Sequence, residues 1–378
     1  MNLSRLLITL AIHGVRYRLL KWAGHGVNPE ALSLEVTHHC VARCVMCNIW
    51  KIPKDVKDVV LSGWLHLLSE PILGHLKELD ITGGEPFLRS DLAAFLTEIA
   101  AMKRAHLPEI RSVAVTTNGF LTERVLETVR QVFPVLETNG IQMVLALAMD
   151  GVGEVHDRIR NVKGGWASLH STIEGLKEIR KQHPTLILGL KTTILPENIV
   201  HLQKIAEYAR EHGLFTIISP CIITSNRYAN LDLGERLRFS PGDIEAMAAF
   251  YQSPYFQWGY HREMMLRFLS EGTVKKPCSA GFNYFFVRST GEIFPCPLID
   301  FSMGNLSHMS LEEAIHTPAA KQFRRKVGRF DACSTCTEPG LERYALPFEG
   351  FHYLQSYFRM GREPFLQLHR HMGLDKYV

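Results

Sequence analysis

Three cysteines stand close together in Cys40-Val-Ala-Arg-Cys44-Val-Met-Cys47, and two more form Cys333-Ser-Thr-Cys336. Thiolates at this spacing suit metal. Three of them in one short loop ligate three corners of a 4Fe–4S cube and leave the fourth iron open to chelate a ligand. Zinc is the competing occupant, and it wants a fourth ligand nearby, which His38 or His39 would supply. In the second half, a mixed segment carries four cysteines, Cys278, Cys296, Cys333 and Cys336, enough thiols for a four-cysteine structural zinc. Gly291 and Ile293-Phe-Pro295 mark a hairpin that delivers Cys296. Cys221 stands apart, either an inert buried thiol or a hydrogen donor or ligand facing a substrate.

An even number of cysteines, eight, would suggest disulfides in a small secreted chain, but this one has 378 residues and its cysteines are bunched. That pattern points to metal in a reducing, cytoplasmic compartment. A hydrophobic fraction of 46% and a charged fraction of 21% describe an ordinary globular protein that can bury a full core. The net charge of +4 is spread along the chain without an arginine- or lysine-rich run, which argues against a nucleic-acid partner.

The elements that must position these residues follow from periodicity. Short β-rich runs at 31–36, 79–81, 112–116, 142–148, 186–193 and 214–219 alternate with helical patterns at 61–68, 91–102, 122–132, 166–181 and 197–212. Six such units imply a parallel sheet built by right-handed crossovers, with the post-strand loops gathered on one face. The fold class is therefore α/β, a partial (β/α)6 barrel, with a smaller C-terminal domain. The polar and glycine-rich segments all follow strands, where active sites collect. The expected division is an N-terminal amphipathic helix over 1–30, a barrel over 31–235 and a C-terminal domain with an aromatic tail over 236–378.

The Cys-x3-Cys-x2-Cys loop after the first strand resembles the signature of the radical S-adenosylmethionine (SAM) superfamily. Gly83-Gly84-Glu85-Pro86 after the second strand is similar to that family's Gly-Gly-Glu-Pro segment, which binds the SAM ammonium. Thr117-Asn118-Gly119 resembles its Thr-Asn-Gly segment near the cofactor. Met149-Asp150-Gly151 followed by His156-Asp157-Arg158-Ile159-Arg160 resembles a further stretch that places Asp150 near the ribose and Arg160 near the carboxylate of SAM. The plain alternatives are a helix-capping carboxylate and a surface arginine. Ala148 and Met46 depart from the pattern, removing a hydroxyl and an aromatic face. The C-terminal cysteines resemble a SPASM or twitch auxiliary domain, with ligands for one auxiliary 4Fe–4S cluster rather than two.

The resemblance implies an enzyme that splits SAM reductively to a 5′-deoxyadenosyl radical and abstracts hydrogen from a peptide, sugar, cofactor precursor or lipid. It implies an electron donor such as a flavodoxin or ferredoxin. The rival from another class is a non-catalytic zinc or iron–sulfur protein. Leu3, Leu6, Leu7 and Leu10 give the N-terminal helix an apolar face beside Arg5, Arg16, Arg18 and Lys21. That face either caps the main domain or enters a membrane surface as a peripheral contact. The tail aromatics Phe348, Phe351, Tyr353, Tyr357, Phe358 and Phe365 belong to a core or to a lipid-binding surface.

Overall fold

The computed structural model describes residues 3–256 and 259–378. Six parallel strands form its centre: β1 (Ala31–Thr37), β2 (Glu78–Gly83), β3 (Ser112–Thr117), β4 (Gln142–Ala148), β5 (Ile187–Ile194) and β6 (Phe215–Pro220). Their spatial order is sequential, each pairing in parallel with the next. Helices cross between them: α2 (Leu61–Leu68), α3 (Leu92–Met102), α4 (Thr122–Thr138), α5 (Glu154–Arg160), α6 (Gly165–Gln182) and α7 (Leu202–Glu211), while α1 (Leu3–Ala23) precedes the sheet. The strands read as near-continuous apolar runs because helices and lumen cover both faces; all seven residues of β1 are buried.

Two local features differ from the periodicity. Helix α4 continues six residues past the expected end at 132, straight through Pro134. Proline leaves a carbonyl without a donor there, but Val132, Phe133 and Leu136 on either side are fully packed into the core, and that packing outweighs the defect. Helix α5 is a two-turn insertion too short for a periodic signal.

The C-terminal half continues the same sheet. Strand β7 (Tyr284–Val287) pairs in parallel with β1, and β8 (Glu292–Phe294) and β9 (Gly304–Asn305) extend it antiparallel. Gly291, at φ +85°, turns the β7–β8 hairpin that carries Cys296. Around it lie α8 (Pro241–Gln252), α9 (Gly259–Glu271), α10 (Leu311–His316), α11 (Pro318–Lys326), α12 (Asp331–Ser334), α13 (Glu342–Glu349), α14 (Phe351–Met360) and α15 (Arg362–His371).

Helix α1 packs on α11, α13 and α14 rather than on the barrel. Leu6, Leu10 and Tyr17 are its buried face. Gly14 lets α14 in: a Cβ there would lie 2.1 Å from the Phe351 ring. The apolar face expected to meet either the main domain or lipid thus faces the C-terminal helices. Two of the expected lipid-facing cations turn inward as well, Arg18 to Glu349 at 3.0 Å and Lys21 to the Val327 carbonyl at 2.6 Å. Of the tail aromatics, Tyr353 and Phe365 are buried and only Phe358 is largely exposed.

Leu10→Asp should therefore lower the unfolding free energy by about 3 kcal/mol or more, since it creates a cavity and buries an unpaired charge. Ile12→Asp, on the exposed side of the same helix, should stay within about 0.5 kcal/mol of wild type. Denaturant midpoints for the two variants check this, and equal losses would contradict the docking described.

Candidate functional site

The loops after β1 and β2 are pressed together. Gly84 N–H donates to the Thr37 carbonyl at 2.7 Å and Glu85 N–H to the His39 carbonyl at 2.8 Å. A Cβ on Gly83 would stand 2.3 Å from the Thr37 oxygen, and one on Gly84 2.2 Å from the His39 oxygen. Glycine is required here for the approach of one loop to the other.

Glu85 then joins the third loop. One carboxylate oxygen accepts from Thr117 Oγ1 (2.8 Å) and Phe87 N (3.1 Å), the other from Asn118 N (2.7 Å). Asn118 Nδ2 reaches Cys40 Sγ at 3.9 Å. Glu85 and Pro86 are buried beneath the loop and do not line the chamber above it, whereas Gly83, Gly84, Thr117 and Asn118 do. Glu85, expected to bind the cofactor, accepts from three protein donors, two of them on the third loop. Burial pushes its carboxyl up to about 7, against those hydrogen bonds, which favour the anion.

On the other side, Asp150 and Arg160 meet each other at 2.6 Å. Asp150 is fully buried, accepts from Thr193 N at 2.8 Å, and does not line the chamber. Asp150, expected beside a ribose, serves here as the counter-ion of Arg160. Arg160 does line the chamber and donates to Cys44 Sγ at 3.6 Å. Burial works against its charge, but Asp150 and Cys44 beside it hold the guanidinium protonated. His156, whose ring nitrogen accepts from Asp150 N at 3.2 Å, is kept neutral, its pKa pushed down to about 3 by burial and by Arg160.

Cys40, Cys44 and Cys47 all line this chamber, a cavity of about 130 Å³. Burial pushes the Cys40 thiol up to about 11 and the Cys47 thiol to about 12. His38 and His39 do not complete a zinc site with them. His38 Nδ1 lies 2.8 Å from Asp58, and His39 Nε2 lies 3.9 Å from the same carboxylate. Cys221 also lines the chamber, its thiol held neutral by burial with a pKa up to about 12. Trp50, three residues past Cys47, offers an aromatic face that Met46 does not.

The chamber opens on a second cavity of about 170 Å³ inside the barrel, sharing Thr82, Thr116, Lys191, Arg227 and Glu338 with it. Sequence reasoning missed the last three. Lys191 had a signal, a lone cation inside the apolar strand β5; Arg227 and Glu338 lie in irregular segments without a pattern.

Four further cysteines converge in the C-terminal half. Cys278, Cys296, Cys333 and Cys336 line one cavity of about 310 Å³ together with Lys21 and Lys276. Burial pushes Cys278 up to about 12. Tyr17 O–H donates to the Cys278 carbonyl at 2.9 Å, tying α1 to the ligand loop.

The radical SAM superfamily signature matches residues 34–219, and SPASM, an iron–sulfur cluster-binding domain, matches residues 278–337. The chain belongs to the radical SAM superfamily. It is 22% identical over 306 residues to the antilisterial bacteriocin subtilosin biosynthesis protein AlbA of Bacillus subtilis, covering 80% of this chain and 63% of AlbA, so it spans less than two thirds of that relative. It is 24% identical over 317 residues to the AdoMet-dependent heme synthase of Methanosarcina barkeri, covering 75% of this chain and 81% of that one. The fold is similar to that of Streptococcus suis SuiB bound to precursor peptide SuiA, with a TM-score of 0.59 at 13% identity over 82% of this chain and 69% of SuiB. It is also similar to anSMEcpe with bound AdoMet, with a TM-score of 0.56 at 17% identity over 91% and 99% of the two chains.

Membership in this family carries a 4Fe–4S cluster with SAM, and SPASM carries auxiliary iron–sulfur ligation. The residues fit both groups. A thiol withdrawn from water is a poor anion until iron supplies positive charge, and both thiol sets are half-buried or buried with cations at hand, Arg160 at one and Lys276 at the other. Anaerobically reconstituted protein should hold about eight iron atoms, two four-iron clusters. Replacing Cys40, Cys44 and Cys47 together with alanine should leave about four. Stoichiometric zinc at the C-terminal cysteines would contradict the auxiliary cluster.

Proposed function

We propose that the protein reductively cleaves SAM in the β1–β4 chamber and uses the resulting radical on a substrate held in the adjoining barrel cavity. The observation that carries this reading is convergence: three thiols, the Gly83–Gly84 backbone, Thr117, Asn118 and Arg160 line one cavity that opens into another. Cys40, Cys44 and Cys47 would hold a 4Fe–4S cluster, which would supply the electron for reductive cleavage of the SAM sulfonium to methionine and a 5′-deoxyadenosyl radical. The Gly83–Gly84 backbone receives the SAM ammonium, Arg160 its carboxylate, and Glu85 and Asp150 hold those two groups in position. Cys278, Cys296, Cys333 and Cys336 hold one auxiliary cluster. A flavodoxin or ferredoxin supplies the electron, in a reducing cytoplasm at the membrane periphery. The neutral Cys221 thiol, facing the chamber, is in the form that donates a hydrogen atom. A non-catalytic metal protein has no need of Arg160 and paired glycines at an open chamber.

The substrate carries an anionic group. Lys191 is enclosed at the junction of the two cavities and has no hydrogen-bond or ion-pair partner for its ammonium among the described residues. Arg227 stands near it, donating to Thr82 at 3.0 Å; Glu338 and Asp80 act on Lys191, and Glu338 and Glu35 on Arg227, from the walls of the two cavities. An ammonium shielded from water without a directly bonded carboxylate is costly, and a bound carboxylate or phosphate relieves that cost.

With dithionite, the holoenzyme should form 5′-deoxyadenosine from SAM, and Cys44→Ala should abolish it. S-adenosylhomocysteine without deoxyadenosine would indicate another reaction class, and neither product would favour the non-catalytic rival. Glu85→Ala should raise the SAM dissociation constant roughly 10- to 150-fold, because the Gly83–Gly84 backbone loses the charge-assisted hydrogen bonds, worth about 1.5–3 kcal/mol, that seat its loop against the third. Because Glu85 is raised to about 7, its anion is lost as pH falls, so SAM affinity should weaken up to about tenfold per unit below that value and level off above it. The same shift works oppositely on folding: the neutral buried form favours the fold at low pH, and that contribution fades as pH rises from the ordinary glutamate value towards 7. SAM titrations across this range check the sign. Citrate, as an anionic probe, should slow SAM cleavage in the wild type and have little effect in Lys191→Met; equal inhibition of both would remove the anionic subsite.

A further inference from the structure

Helix α1 is apolar on two opposite sides, and only one of them is covered. Leu6, Leu10 and Tyr17 are buried against the C-terminal helices, while Ile8, Ile12, Val15, Leu19 and Trp22 are 61, 60, 54, 62 and 82% exposed. These five recur at alternating steps of four and three residues, so they fall on a single narrow stripe running about 21 Å along the helix. A soluble surface rarely leaves so many large side chains uncovered in one line.

Charge identifies what covers it. Residues 1–29 contain four arginines and lysines and no aspartate or glutamate. Arg16 is exposed on α1 itself. At the Trp22 end the stripe meets the C-terminal part of α11, where Arg325 donates to the Ala23 carbonyl at 3.1 Å. Lys321, Arg325, Lys326 and Arg329 are all exposed there, and neither they nor Arg16 have a carboxylate within ion-pair distance among the described residues. A second copy of the chain would bring the same uncompensated cations against these. A lipid surface with anionic headgroups supplies both an apolar layer for the stripe and negative charge for its rim, and tryptophan is favoured at that boundary. No described helix is long and apolar enough to cross a membrane, so the contact is with the surface.

We propose that α1 lies in the interface of an anionic bilayer, with Ile8, Ile12, Val15, Leu19 and Trp22 immersed and the Arg16, Lys321, Arg325, Lys326 and Arg329 cations against headgroups. This names the surface behind the membrane-peripheral location proposed above and is independent of the chamber chemistry. It also reverses the face expected from the leucine pattern, since Leu6 and Leu10 remain against the protein.

The test is sedimentation of the holoenzyme with vesicles of equal parts phosphatidylcholine and phosphatidylglycerol, against phosphatidylcholine alone, at low and high salt. The wild type should partition to the anionic vesicles and be released by salt. A stripe variant (Ile8→Ser, Ile12→Ser, Leu19→Ser, Trp22→Ser) and a rim variant (Arg16→Gln, Lys321→Gln, Lys326→Gln, Arg329→Gln) should each lose at least about tenfold in partitioning. Because every changed side chain is exposed, melting temperature and SAM cleavage should stay at the wild-type level in both. Wild-type protein that remains in the supernatant with both vesicles overturns the proposal, as does a stripe variant that partitions normally but converts a dimer to a monomer. Protein that cleaves SAM and ignores vesicles removes the membrane contact alone; protein that binds vesicles without cleaving SAM removes the chemistry alone.

Discussion

Two backbone hydrogen bonds, from Gly84 to Thr37 and from Glu85 to His39, bring the loops after β1 and β2 into contact, and the rest of the chamber is assembled from that point. They require two adjacent residues without a Cβ, because the carbonyls they approach stand where side chains would be. With the loop seated, Glu85 lies between the second and third loops and receives three donors. Those bonds orient Asn118, whose side chain turns to Cys40. Three segments far apart in sequence are thereby placed relative to one thiol. The hydrogen bonds are short and buried, so water cannot compete for them, and a buried acceptor left without its donor is costly.

The opposite wall is held by charge rather than by backbone. Asp150 is sealed behind the chamber, and Arg160 spans from it to Cys44. Removing the carboxylate would leave a buried guanidinium without a counter-ion, a larger loss than the pair contributes on its own. The division of labour has a physical logic. Glycines and hydrogen bonds define distances between loops, whereas the arginine keeps a positive charge beside thiols that burial would otherwise hold neutral.

Much of this was legible in the chain. The six strands were bounded to within a residue or so at most ends because each is a continuous apolar run ending in a polar, often glycine-bearing loop. The cysteine spacing and the Gly83–Asn118 segments announced the chamber for the same reason, being local. What was not legible is relational. Carboxylates at 85 and 150 suit a binding site, yet whether each faces a ligand or another loop depends on contacts across thirty or more residues of chain. Helix α1 shows the limit most clearly: with apolar residues on two sides, periodicity cannot say which side is inward. Gly14 against Phe351 decides it, and that contact closes a loop of more than three hundred residues.

The pairing of β7 with β1 makes the C-terminal half part of the chamber rather than an appendage. Cys336 belongs to the auxiliary thiol set, and Glu338, two residues on, lines the chamber next to Lys191. Thr337 between them donates to the Pro220 carbonyl, at the end of β6 and beside Cys221. Lys276, in the thiol cavity, donates to the Glu338 carbonyl. A group seated on Cys336 therefore fixes the backbone that carries Glu338, and through it the charge facing Lys191. Ligation at the auxiliary site and the electrostatics of the substrate cavity are connected by three consecutive residues, too short a path to flex independently.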